Sequence, residues 1–310
     1  MKPHILLCAL ALISLSSCSI APGKSTQASR IKELNKLDGP KVDSVTDTLQ
    51  KSAIEAMNRG DYKRAVSLYK QLHDTAKVKD SVRMQYAVSL ASALRRAGGY
   101  DDSLKVLDVV LKNEPENIEA LEGKGLSLLG QGKSQEAGRV FEQVLKKDPK
   151  RWRTLNALGI LFSIKNLMPE ANAYYSEALK YSPDNPSILN NVGLSFAIER
   201  RYPKAIEALQ QAARLSDAGT ATKRQVELNI ALVVALAGDL DQAKSIASRH
   251  LKGAALDNNL GLYAHLANND ELAKAYLNTA LSGTSTYYER AWKNLEVITE
   301  DANGKNTPVQ

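Results

Sequence analysis

Leu155-Asn156-Ala157-Leu158-Gly159 returns 34 residues later as Leu189-Asn190-Asn191-Val192-Gly193. Other residues keep the same step. Gly125, Gly159 and Gly193 are 34 apart, as are Ala137, Ala171 and Ala205, and Pro115, Pro149 and Pro183. Three residue types hold one period, each at its own place, so a structural unit is copied along the chain. Looser copies of the phrase follow at Leu228-Asn229-Ile230-Ala231 and Asn258-Asn259-Leu260-Gly261.

Such a unit reads as two helices and a turn. Helices approach closely only where small side chains meet. Gly159 and Gly193 supply these in the first helix, Ala171 and Ala205 in the second. The bulky residue one turn after the small one in the second helix fills the space that opens: Tyr69, Leu107, Phe141, Tyr175 and Leu209. Between the helices stand glycine turns, at Gly60, Gly99, Gly130 to Gly132 and Gly238. Glycine ends a helix in the left-handed conformation at low cost. The prolines follow the second helix and are expected to start the next, where a missing amide donor matters little.

The period and residue set resemble the tetratricopeptide repeat. The resemblance implies an all-α, right-handed superhelical solenoid of about seven helix pairs, its concave face built from first helices. The crossing residues Ala65, Ser103, Ala137, Ala171, Ala205, Ala243 and Ala273 place the pairs. The first unit lacks the closing proline. The second has Ser103 in place of alanine, the sixth follows a four-residue insertion near Gly219 to Thr222, and the seventh comes four residues early. A further capping helix is expected beyond Trp292. Composition agrees with helix-on-helix packing: aromatics are only 5% of 310 residues, and 44% are hydrophobic.

The N-terminus reads differently. Lys2 is followed by an apolar run, Ile5 to Leu15, too short to span a bilayer. A basic start, a short apolar core and small residues read as a secretory signal. Its end, Leu15-Ser16-Ser17-Cys18, resembles the bacterial lipobox. That resemblance implies removal of residues 1–17 and a lipid on Cys18, and Ser19 favours the outer membrane over the inner. Residues 18–40 are then a lipidated cysteine and flexible tether, 41–300 the repeat domain and 301–310 a polar tail. Cys8 leaves with the signal, so the mature body has no thiol for a disulfide.

Nothing in the body reads as catalytic. His73, His250 and His265 show no metal-ligand spacing. Gly23-Lys24-Ser25 and Gly132-Lys133-Ser134 lack the earlier glycine and preceding strand of a phosphate loop. Asp101, Asp102, Glu114 and Glu116 fall in turns and helix starts, where carboxylates favour the helix dipole. The net charge of +7 is spread over the chain, without a basic-aromatic platform for nucleic acid. The reading is of a non-enzymatic scaffold with no cofactor, metal, nucleic acid or small-molecule substrate.

Helical spacing places Asn156, Ile160, Asn190, Asn191, Leu194, Ile198, Asn229 and Leu232 on the inward stripe of the first helices. Aliphatic walls can take the apolar side of a polypeptide, and amides can bond its backbone. Equally, Asn191, Asn229 and Asn259 stand where this repeat family often carries asparagine for its own helix contacts. Arg95 and Arg96 are the nearest basic pair.

Signal, lipobox, tether and repeats together resemble the TadD lipoproteins of tight-adherence (Flp-type) pilus systems. The stretch Arg224 to Val233, followed by Ala235-Leu236-Ala237-Gly238, is similar to what that family carries after its last strong repeat. The resemblance implies a periplasm-facing outer-membrane protein that helps a pilus secretin localise or assemble. The alternative is a general envelope adaptor like the NlpI lipoproteins, docking proteases or cell-wall enzymes.

Overall fold

The computed structural model describes residues 44–75, 80–283 and 289–302. The signal segment, Cys18, the tether to residue 40 and residues 303–310 lie outside the described residues. Those described form fifteen α-helices: α1 (Ser44–Arg59), α2 (Tyr62–Asp74), α3 (Asp80–Arg96), α4 (Tyr100–Asn113), α5 (Ile118–Gly130), α6 (Ser134–Lys147), α7 (Trp152–Ile164), α8 (Met168–Tyr181), α9 (Pro186–Ile198), α10 (Tyr202–Leu215), α11 (Ala221–Leu236), α12 (Leu240–Ala247), α13 (Gly253–Leu266), α14 (Asp270–Ser282) and α15 (Glu289–Ala302). The first fourteen are seven consecutive pairs, and α15 packs on the last of them. This is the expected all-helical, right-handed superhelical solenoid. From α3 onward, each odd-numbered helix touches the next odd-numbered one, so the first helices form one continuous inner layer. No described helix is long and apolar enough to cross a membrane.

All seven crossing residues, from Ala65 to Ala273, are fully buried. The glycines of the first helices are required by the bulky residues opposite. A Cβ on Gly125 would lie 2.4 Å from Phe141, and one on Gly159 2.4 Å from Tyr175. On Gly193 it would lie 2.6 Å from Leu209, and on Gly261 2.7 Å from Leu277. Ser103 replaces alanine because its hydroxyl has work in the core: it donates to Ala91 O at 2.8 Å and pairs with Ser127 at 2.9 Å.

Two local expectations change. Pro115, Pro149 and Pro183 do not open helices; each lies in a short turn, and Asn117, Arg151 and Asn185 are the N-cap residues that follow. Asn117 and Asn185 accept backbone amides there, which a proline at that point could not do. The inter-helix turns also do not all use glycine. Gly60, Gly98, Gly132 and Gly238 have positive φ, but Asn166, Arg200 and Asn268 hold the same left-handed place in the fourth, fifth and seventh units. At the C-terminus, α15 runs two residues into the segment read as a polar tail.

The superhelix winds tightly enough for its first and sixth units to touch. The turn after α1 meets the start of α11. Arg224 Nη2 donates to Arg59 O at 3.3 Å, and Gly60 leaves room for Ala221 and Arg224 beside it.

Candidate functional site

The residues expected on the inward stripe are placed elsewhere. Asn156, Ile160, Asn190, Asn191, Leu194, Asn229 and Leu232 are all buried, and Ile198 is half-buried in the core around α11 and α13. A partner lying in the channel cannot reach the seven buried side chains, which corrects the groove assignment. The physical reason is visible in their partners. Asn229 Nδ2 donates to Asn190 Oδ1 at 2.7 Å, and Asn191 Nδ2 donates to Asn156 Oδ1 at 2.9 Å. Asn190 and Asn191 are linked at 3.3 Å, and Gln225 Nε2 donates to Asn229 Oδ1 at 3.1 Å. The amides form a chain across α7, α9 and α11, bonding each first helix to the next. Their stripe faces the neighbouring unit, and their polar atoms satisfy one another out of water.

The concave surface instead opens into a cavity of about 200 Å³ among the first four units. Its walls are first helices: Ile54 and Met57 from α1, Gln85 to Arg95 from α3, Glu119 to Leu126 from α5, and Arg151 and Arg153 at the start of α7. Tyr69, Ser103 and Leu107 of the second helices form its floor. The wall is mostly apolar, with five charged groups among it: Arg95, Arg151, Arg153, Glu119 and Glu122.

These charges are organised. Glu122 is 3% exposed, and a buried carboxylate persists only when paired. Arg151 holds it in a two-point grip, Nη2 to Oε2 at 3.0 Å and Nε to Oε1 at 3.2 Å. Thr154 Oγ1 donates to the same carboxylate at 2.9 Å, and Glu119 stands 3.6 Å from Arg151. Burial works against the charge of Arg151, but Glu122, then Glu119 and Asp148, outweigh it and raise its pKa. Arg153 is different. Its guanidinium lies 4.5 Å over the Trp152 ring. Burial holds its pKa below the usual value; the attraction of Glu122 is partly cancelled by Arg151. Its buried Nε has no hydrogen-bond partner.

Sequence reading singled out Arg95 but missed Glu122, Arg151 and Arg153. The signal was Glu122 itself, an acid 34 residues ahead of Asn156, at the amide position of the first helices. The histidines pair with carboxylates: His73 with Asp74 at 2.9 Å, His250 with Glu227 at 2.5 Å and His265 with Asp270 at 2.6 Å. Among the described residues, no three metal-ligating side chains come together.

The tetratricopeptide-repeat family profile matches residues 88–151, 123–162 and 165–220. No curated protein matches the chain. Among solved structures, a tetratricopeptide-repeat protein from Parabacteroides merdae is 14% identical, covering 83% of this chain and 100% of its own, with a TM-score of 0.52. PilW, a widely conserved type IV pilus biogenesis factor, is 20% identical over 70% of this chain and 100% of its own, at 0.53. A thermophilic repeat protein of Thermus thermophilus is 20% identical over 64% of this chain and 99% of its own, at 0.50. At these identities the likeness is one of fold. The family profile matches the central units, and the seven stacked helix pairs around them give the chain the tetratricopeptide-repeat fold.

Proposed function

We propose that this chain is a lipid-anchored scaffold of the bacterial outer membrane, facing the periplasm, which holds a partner polypeptide and catalyses nothing. Within that reading it assists assembly or localisation of a tight-adherence pilus secretin. The observation that carries the scaffold reading is the concave cavity: a mostly apolar recess with a few fixed polar groups, built from the inner helices of a repeat solenoid. The membrane part rests on Leu15-Ser16-Ser17-Cys18, and the pilus part on the resemblance to TadD lipoproteins. That a pilus biogenesis factor shares the fold is in keeping with this.

The test is co-purification from detergent-solubilised envelopes, with the intact chain and its Cys18→Ala variant as baits. A secretin or another pilus component enriched with the wild type supports the reading. Proteases or cell-wall enzymes in its place move it to a general adaptor. If Cys18→Ala leaves membrane association unchanged, the lipid anchor is refuted.

A further inference from the structure

Arg151 engages both carboxylates of the cavity, Glu122 by two hydrogen bonds and Glu119 at 3.6 Å. Arg153 is the cation that this network does not take up: Trp152 covers one face, and its Nε is buried without an acceptor. A buried donor left unmade is costly, and more so on a charged group. An anion entering beside Arg153 would supply the missing acceptor and an opposite charge beside the guanidinium.

The rest of the cavity says what carries that anion. A small-molecule pocket typically encloses about 300–1,000 Å³. This cavity holds about 200 Å³, the room of one or two side chains. Elsewhere the wall is apolar, through Ile54, Met57 and Val88, while Gln85 and Ser92 offer an amide and a hydroxyl to a peptide backbone. A nucleic-acid or lipid phosphate array would bring Glu119 and Glu122 against further negative charge. We propose that the cavity receives an acidic side chain of a partner polypeptide, with Arg153 as its cation and the aliphatic wall taking the apolar residue next to it. This rests on the scaffold reading and names the chemistry of what the scaffold holds.

The test uses the full chain in detergent micelles, selecting from displayed random peptides. Expected are peptides in which Asp or Glu stands beside an aliphatic residue. For the tightest of these, synthesised with a fluorescent label, Arg153→Gln should weaken binding about ten- to a hundredfold, the range for losing one charge-assisted hydrogen bond. Arg153→Lys should retain most of the affinity. Replacing the peptide's acid by its amide should cost wild type the same factor and Arg153→Gln nearly nothing. Unchanged circular dichroism and melting of the variants make these losses a matter of the site. Selected peptides without acidic enrichment, equal affinity for Arg153→Gln, or no selected peptides at all would overturn the proposal. Envelope co-purification separates it from the scaffold reading. If Arg153→Gln recovers the same partners as wild type, the cavity proposal fails and the scaffold stands; if wild type recovers none, the scaffold itself falls.

Discussion

Gly159→Ala sets two known effects against each other. Alanine in place of glycine inside a helix is worth about 1 kcal/mol of added stability. The new Cβ would lie 2.4 Å from Tyr175 Cε1 and 2.5 Å from its Cδ1. That ring is 2% exposed, and its hydroxyl lies 3.2 Å from Ser163 Oγ, so it is held at both ends and cannot swing aside. Overpacking of this kind costs about 1–3 kcal/mol, and a fixed ring places it in the upper part of that range. The net expectation is a loss of about 1–2 kcal/mol, read as a lower urea midpoint by far-ultraviolet circular dichroism. The sixth unit supplies an internal control, since Ala231 and Ala247 stand there in the places of Gly159 and Tyr175. Tyr175→Ala alone should cost about 3–5 kcal/mol by analogy with other large aromatics. Gly159→Ala/Tyr175→Ala recreates the sixth-unit pairing, so its loss should fall short of the sum of the singles by about 1–2 kcal/mol. A raised midpoint for Gly159→Ala, or strict additivity in the double variant, would show that the clash is absent.

Asn190→Ala removes the partner of Asn229 Nδ2 and of Asn191 Oδ1, and should destabilise by about 2–4 kcal/mol in a thermal melt. Arg200 is exposed and holds φ at 59°, so Arg200→Gly should relieve about 1 kcal/mol of backbone strain and raise the melting temperature. Burial, aided by Tyr86 and Asp47 respectively, pushes Tyr69 and Tyr86 up to about 12. Their folded pKa lies above the ordinary 10, so the folded chain binds more protons between these values. The stability they contribute is full below about pH 10 and is lost as pH rises toward 12. Tyrosinate absorbance should show these two rings, with Tyr263, which burial also pushes up, titrating late, and the urea midpoint should fall across that window.

The helix pairs were legible because their contacts are close in sequence. Gly159 meets Tyr175 only half a repeat away, so the small and bulky residues keep one register through four units. The cavity was not legible for an equally physical reason. A period says which positions recur but not which of two adjacent stripes faces the channel. Arg153 and Asn156 are three residues apart, about 60° around the helix. That difference separates a residue on the concave wall from one sealed between units. Asparagine also misled, since its amide serves a foreign backbone and a neighbouring asparagine equally well. Glu122 was the better guide, because an acid on the buried stripe of a first helix requires a partner, and the partner marks the site. Arg200 in a left-handed turn departs from the glycine rule because the turn's position is set by the packed helices on either side.

The contact between the first and sixth units has a kinetic meaning. A solenoid that overlaps itself is a sleeve, and a chain with bulky folded ends cannot enter a sleeve from the side. Such a ligand must thread by a free end or wait for the overlap to part. The hydrogen bond from an exposed arginine to Arg59 O contributes about 1 kcal/mol, so that bond by itself favours the shut form by about fivefold, and the packing of Ala221 at Gly60 adds to it. Once a strand lies inside, every contact it makes with both rims adds to the barrier for escape, so the same overlap that admits a guest can release it slowly.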